Sequence, residues 1–206
     1  MRLYKKQQTQ ITMSEDKYQN KYRIPSNRLR GYDYGANACY FVTICTKNRG
    51  HYFGEIVNGE MQLSEIGKIV QSEWSKTTAL RPDMNLLLDE FVVMPNHFHG
   101  IVCIGDNQYN MCDCRDEMHC VSTLPTLQPY KNKFGTQSKN LASIIRGFKI
   151  AVTVYSRKQN IDFAWQERFH DRIIRDHIEL ENTRTYIFNN PQNWNDDEEN
   201  VNNEIL

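Results

Sequence analysis

Apolar and polar positions along the chain alternate with two different periods, and each period predicts its own kind of element. Tyr40-Phe41-Val42-Thr43-Ile44-Cys45 is an apolar, β-branched run and predicts a buried first strand. Residues 51–63 hold short apolar pieces split by Asn58-Gly59, a strong hairpin signal, and predict a small β-hairpin. Ser64 is a favoured N-cap. From there to about Thr78, Leu63, Ile66, Val70 and Trp74 mark one apolar stripe with charges opposite, which predicts an amphipathic helix. Residues 86–94 and 97–104 read as two further strands joined at Pro95-Asn96, because proline cannot donate within a central strand. Residues 141–157 give the clearest helix, with Leu141, Ile144, Ile145, Phe148, Ala151, Val152 and Tyr155 on one stripe. Residues 163–174 predict a fourth strand. Asp176 and Glu179 form a capping-box-like start to a last helix that runs to about Asn189 and stops at Pro191.

With the hairpin set aside, the order is strand, helix, strand, strand, helix, strand and an extra helix. This is the split βαβ order of ferredoxin-like folds. The expected fold class is therefore α+β: a βαββαβ antiparallel sheet with helices on one face, plus the small β-hairpin and an extra C-terminal helix. That last helix follows the fourth strand and can pack over the sheet face left open. The expected organisation is one domain over residues 28–194, with a long variable loop at 105–137. Residues 1–27 are polar and read as a flexible basic arm, and residues 195–206 as a frayed acidic tail.

Charge changes the picture only locally. Basic and acidic residues balance at 25 each across 206 residues, so no global field draws the chain to nucleic acid. The arm is basic and the tail acidic, a distribution that solvated termini commonly have. There is no apolar run long enough for a membrane helix and no apolar leader segment, so a cytoplasmic, membrane-free protein is expected. The six cysteines are irregularly spaced, and Cys45 and Cys103 lie within apolar strand patterns, which suits reduced thiols.

The candidate chemistry centres on His97-Phe98-His99, at the start of the third strand. Residues i and i+2 of a strand point the same way, about 6–7 Å apart. His97 and His99 therefore share a face and can hold one metal ion, while Phe98 enters the core. Two imidazoles in an apolar strand need a shared partner, and a metal or phosphate provides one. On the last helix, Tyr186 and Asn190 are four apart and share a face beside the buried positions Leu180 and Ile187. Arg146, Lys149, Thr153 and Arg157 cluster on the polar side of their helix, either as a solvated face or as a phosphate-contacting one. Cys112, Cys114, His119 and Cys120 offer four potential zinc ligands in the variable loop, without the usual paired knuckles.

Taken together, these blocks resemble a known family. His97-Phe98-His99 is similar to the HUH motif, two histidines around a bulky hydrophobe, of one-tyrosine transposases. The REP-associated tyrosine transposases are resembled over about residues 28–194. The resemblance runs through Arg30-Gly31-Tyr32-Asp33-Tyr34, the first strand to Thr46, residues 91–100, Ile144-Ile145-Arg146-Gly147-Phe148-Lys149, Trp165-Gln166, Ile173-Ile174-Arg175-Asp176 and Tyr186-Ile187 through Asn190-Pro191. It implies a metal-dependent single-stranded DNA endonuclease and strand transferase. Such an enzyme cuts and rejoins DNA at hairpin-forming palindromic repeats through a 5′-phosphotyrosine.

By the same resemblance Tyr186 is the nucleophile, and His97, His99 and Asn190 are ligands of Mg²⁺ or Mn²⁺. Asn96 or Glu90 can replace Asn190 in that role. Arg30, Tyr32, Arg146 and Lys149 become DNA-binding candidates. Tyr32 and Tyr34 either stack on unpaired bases or pack in the fold. Monomer and homodimer both remain open. A second class, a domesticated hairpin-binding protein of the same fold without cleavage, is kept beside it.

Overall fold

Strand β1 (Ala38–Cys45) alternates between two environments, and this alternation divides the molecule into two layers about one sheet. The computed structural model describes residues 28–29, 31–111, 138–197 and 199–200. Tyr40, Val42 and Ile44 face one side and are fully buried. There they meet Phe98, Val102 and Ile104 of β5 (His97–Ile104), Ile66, Val70 and Trp74 of α1 (Glu65–Ser75), and Ile144, Ile145, Phe148 and Val152 of α2 (Leu141–Lys158). Phe41 faces the other side. With Val92, Ile101 and Ile174 it lies under Leu180 and Ile187 of α3 (His177–Asn189). Each fully buried aliphatic side chain of this kind contributes roughly 1.5–3 kcal/mol.

The main sheet has the strand order β4-β5-β1-β6, all antiparallel, with β4 at Leu86–Val93 and β6 at His170–Ile174. The two split βαβ units interleave: β5 lies between β1 and β4, and β1 between β5 and β6. This is the expected ferredoxin-like arrangement, with α1 and α2 on one face and α3 on the other. The hairpin β2 (Gly54–Val57) and β3 (Glu60–Leu63) forms a separate two-stranded sheet. Asn58 and Gly59 at its turn have φ of 53° and 79°, the left-handed values that this tight turn requires.

Caps fix the helix starts. The Ser64 hydroxyl accepts from the Gly67 N–H at 3.1 Å, and the Asp176 carboxylate from the Glu179 N–H at 2.8 Å. The Glu179 carboxylate accepts from the Arg175 N–H instead of closing the box on Asp176. Gly100 lets α1 approach β5, since a Cβ there would sit 2.8 Å from the Phe98 ring and 3.1 Å from Trp74.

Two expectations are corrected. The fourth strand is confined to His170–Ile174. Residues 163–169 are irregular apart from a bridge between Thr46 and Trp165. The apolar residues that suggested strand there, Phe163 and Trp165, pack instead against Phe53 and Phe148. Cys39 and Cys103 are not reduced thiols but a disulfide, because the β1/β5 register sets them directly opposite. Cys45 is a buried free thiol. Among the described residues no helix is long and apolar enough to cross a membrane. The cysteine and histidine residues of the variable loop, and residues 1–27, lie outside the described residues.

Candidate active site

His97 and His99 open β5, immediately after the turn at Pro95-Asn96. Backbone bonds hold that turn in place. Met94 N–H donates to His97 C=O, and Thr46 N–H and Phe53 N–H donate to Asn96 C=O and Pro95 C=O at 2.9 and 3.0 Å. Strand alternation sends both imidazoles to the α3 side of the sheet, with ring centres 4.4 Å apart. Phe98 points the other way into the core, as its exposure of 0 % requires. Each ring has one nitrogen already engaged. His97 Nδ1 lies 2.9 Å from Asn96 Oδ1, and His99 Nδ1 lies 2.9 Å from Thr43 Oγ1. The Nε2 atoms lie on the other side of the rings, that of His97 buried toward Asp197, while His99 lines the cleft.

The last helix brings the next groups. Ile187 seats α3 against Ile101 and Ile174, and Arg184 ties it to Asp89 of β4 through two nitrogens. The Asp89 carboxyl is held below its ordinary range by that guanidinium. So seated, α3 sets the Tyr186 hydroxyl 3.4 Å from His99 Nε2, with its ring edge-on to Phe41. Asn190, one turn on, is buried with its side-chain amide against His97. The chain then turns back over the site. Trp194 packs on His51 and His97, and Asp197 places Oδ2 3.8 Å from His97 Nε2. Glu199 pairs with Arg49 at 3.1 Å and accepts from the Cys45 thiol. Of the segment read as a frayed acidic tail, Asp196, Asp197 and Glu199 thus line the cleft.

The buried polar atoms define what the site can hold. His97 Nε2 and Asn190 Oδ1 are buried and have no hydrogen-bond partner, and the buried Asp197 Oδ2 stands 3.8 Å from the first. All three present lone pairs, given the Nδ1–H form of His97, and lone pairs brought together out of water favour a shared positive partner. One candidate ligand atom each from His97, His99 and Asp197 lies within 4.8 Å of the others. Burial holds both imidazoles neutral. His97 is pushed down to about 3, with the Arg49 charge adding to it, and His99 is pushed well below its ordinary value. Neutral imidazole is the ligating form. Two nitrogens with a carboxylate and an amide oxygen fit a divalent cation. The open side of the group is a cleft of about 520 Å³ lined by Phe41, Thr43, His170, Tyr186 and Asp196 among others.

No protein-family model matches the chain. An uncharacterized protein of Haemophilus influenzae is 37% identical over 174 residues, which is 84% of this chain and 91% of that one. The chain belongs to the family of that protein. Its fold is similar to that of a REP-associated tyrosine transposase solved bound to a REP hairpin. The TM-score is 0.52 at 16% identity, over 83% of this chain and 74% of the other. At that identity the likeness is one of fold: the α+β architecture with the antiparallel sheet is shared.

For this family member, the residues singled out in the sequence divide into two groups. Tyr186, His97, His99 and Asn190 converge on one cleft within a single chain. Tyr32, Arg146 and Lys149 do not join them. Tyr32 packs edge-on against Tyr34 at 5.1 Å beside the main core. Lys149 sends its ammonium to the carbonyls of Gln166 and Glu167, and burial lowers its pKa. Arg146 is exposed on α2, on the sheet face opposite the histidines. Arg30 lies outside the described residues. Glu90 is exposed beside the register shift in β4 and does not line the cleft. Asn96 contacts His97 from behind rather than from the cleft.

Sequence reasoning missed Asp197 and Thr43. Thr43 was legible as the next same-face position before Cys45 on β1, directly opposite His99 once the register is known. Asp197 sits in an acidic run whose composition gives no sign of folding inward.

Proposed function

We propose that this chain is a metal-dependent endonuclease and strand transferase acting on single-stranded DNA that folds into hairpins, with Tyr186 as the nucleophile. The observation that carries this reading is the convergence of His97, His99 and Asp197, with ligand atoms within 4.8 Å of one another, beside a tyrosine hydroxyl 3.4 Å from His99. The fold it shares with a hairpin-bound transposase supports the substrate class.

The residues to hold the cation are His97, His99, Asp197 and Asn190. When bound, a divalent cation supplies Lewis-acid polarisation of the scissile phosphate and offsets charge growing on its oxygens. Mg²⁺ favours oxygen ligands, so Mn²⁺ is the better match to a set that includes two imidazoles. The chain's own groups do the rest. Tyr186 stands half exposed at the cleft, so a phosphodiester can reach its oxygen from solvent. The phenol oxygen attacks phosphorus as the bond to the 3′-oxygen breaks. The phenol proton leaves to solvent, and the departing 3′-oxygen takes one up. The product is a 5′-phosphotyrosine and a free 3′-hydroxyl, and the reverse step rejoins strands with no external energy source. Phe41, edge-on to the Tyr186 ring, limits the orientations from which the phenol can attack.

A suicide hairpin oligonucleotide tests the proposal. Wild type with Mn²⁺ should form a covalent protein–DNA adduct that survives denaturation, and chelator or Tyr186→Phe should abolish it. Adduct formation by Tyr186→Phe at the wild-type rate would exclude Tyr186. Tight hairpin binding by wild type with no adduct under any divalent metal would favour a binding protein of this fold.

A further inference from the structure

Behind the histidine pair lies a chain of hydrogen bonds that the chemistry described so far leaves unused. Asn96 is fully buried and makes two side-chain contacts. Its Nδ2 donates to the Glu199 C=O at 2.7 Å, and its Oδ1 lies 2.9 Å from His97 Nδ1. The first bond settles the second. A backbone carbonyl only accepts, so the amide nitrogen must face Glu199 and the amide oxygen must face His97. An amide oxygen also only accepts, so His97 Nδ1 must carry the hydrogen. His97 Nε2 is then the bare nitrogen, and it is the buried atom without a partner that faces Asp197.

His99 is not constrained in this way. Its Nδ1 meets the Thr43 hydroxyl, which donates or accepts as required. Of the two rings, only His97 has its tautomer dictated by a one-way chain, and that chain begins at the segment following α3.

We propose that Asn96 is a positioning residue: oriented by the Glu199 carbonyl, it locks His97 in the Nδ1–H tautomer and so aims the Nε2 lone pair into the centre. The consequence for a metal rests on the reading under Proposed function; the tautomer itself does not. In the alternative tautomer, Nε2 would carry a hydrogen and could not ligate. Loss of Asn96 therefore acts on the centre without removing any atom that faces the cleft.

The experiment uses full-length protein labelled with ¹⁵N-histidine. Two-bond ¹H–¹⁵N spectra of the metal-free protein report the tautomer of each buried ring, and calorimetric titration with Mn²⁺ reports affinity. Wild type should show His97 as Nδ1–H. Asn96→Leu, similar in volume but without an acceptor, should populate the Nε2–H form and weaken Mn²⁺ binding by about 10–100-fold, the usual effect of losing such an outer partner. Asn96→Asp keeps the acceptor and should retain the Nδ1–H form, with Mn²⁺ affinity within several-fold of wild type.

The proposal is overturned if Asn96→Leu keeps His97 in the Nδ1–H form, or if it binds Mn²⁺ as wild type does. If Asn96→Leu does not fold, Asn96→Asp decides alone: an Nε2–H His97 in that variant overturns the proposal, and retention of Nδ1–H supports it. A wild type that binds no Mn²⁺ counts against the metal reading only, and the tautomer populations still decide the role of Asn96.

Discussion

Asp197 Oδ2 and His97 Nε2 lie 3.8 Å apart, both buried, and neither has a hydrogen to give the other. The separation would count as an ion pair were the imidazole protonated. Burial pushes its pKa down to about 3, so at neutral pH the imidazole has no charge to offer the carboxylate. Such a contact is unfavourable alone and favourable around a cation. Asp197→Asn should therefore have opposite effects in two conditions. Without metal, the new amide can donate to His97 Nε2, and stability in chelator should rise by about 1 kcal/mol. With Mn²⁺, the lost carboxylate should weaken binding at least about 10-fold, so that wild type becomes the more stable protein. Urea melts of both proteins with chelator and with Mn²⁺ check this. Equal stabilisation of the two by Mn²⁺ would remove Asp197 from the ligand set.

The two histidines also give the metal-free protein a defined acid sensitivity. Both have folded pKa values below the unfolded value of about 6.5, chiefly through burial. Between pH 6.5 and about 3 the unfolded chain takes up protons at His97 that the folded chain refuses. Stability is thus fully present above pH 6.5 and is lost as pH falls through that window. Each histidine contributes a slope of at most about 1.4 kcal/mol per pH unit. Denaturant midpoints measured from pH 8 to 4 in chelator should fall accordingly. His97→Gln should flatten the slope relative to wild type, and an unchanged slope would mean that His97 is not held neutral. Because both rings stay neutral in the folded protein over this range, Mn²⁺ should raise the midpoint by similar amounts at pH 7.5 and at pH 5.5, and a much smaller rise at pH 5.5 would mean that the folded rings take up protons there.

How far the sequence carried can be judged from particular residues. The apolar run around Val42 and the stripe through Ile144, Phe148 and Val152 predicted their elements, because burial on one face leaves a period in the chain. The period of two also put His97 and His99 on one face, and the period of 3.6 put Tyr186 beside Asn190. Phe163 and Trp165 misled, since aromatic residues that fill a core beside Phe53 look the same as aromatic residues in a strand. Asp197 and the Cys39–Cys103 pair were not legible, for a common reason. Both depend on which residues meet across the fold, through the return of the chain over the cleft and through the β1/β5 register. Asn96 was legible as a turn residue and as a spare ligand. Its bond to the Glu199 carbonyl, which gives it another part, joins positions 103 residues apart.

The same register separates the disulfide from the site. Cys39 pairs opposite Cys103 at one end of β1, and Cys45 stands opposite His97 at the other. Six residues of strand, at roughly 3.3 Å each, put about 20 Å between them. The crosslink joins positions 64 residues apart, and closing a loop of that length restrains the unfolded chain by on the order of 4 kcal/mol. Cys39→Ser should therefore lower the denaturant midpoint substantially. Mn²⁺ affinity and adduct formation below the new midpoint should stay within about twofold of wild type, because β1 and β5 keep their backbone pairing to the histidine end. The oxidised state of wild type is checked by alkylating the unreduced, denatured protein: Cys39 and Cys103 should resist labelling until a reductant is added, whereas Cys45 should label. Labelling of all three without reductant would show that the pair is not crosslinked in the purified protein. A large loss of Mn²⁺ affinity in Cys39→Ser, in turn, would show that the far end of β1 holds the histidines in register, and that the two ends of the sheet are not mechanically separate.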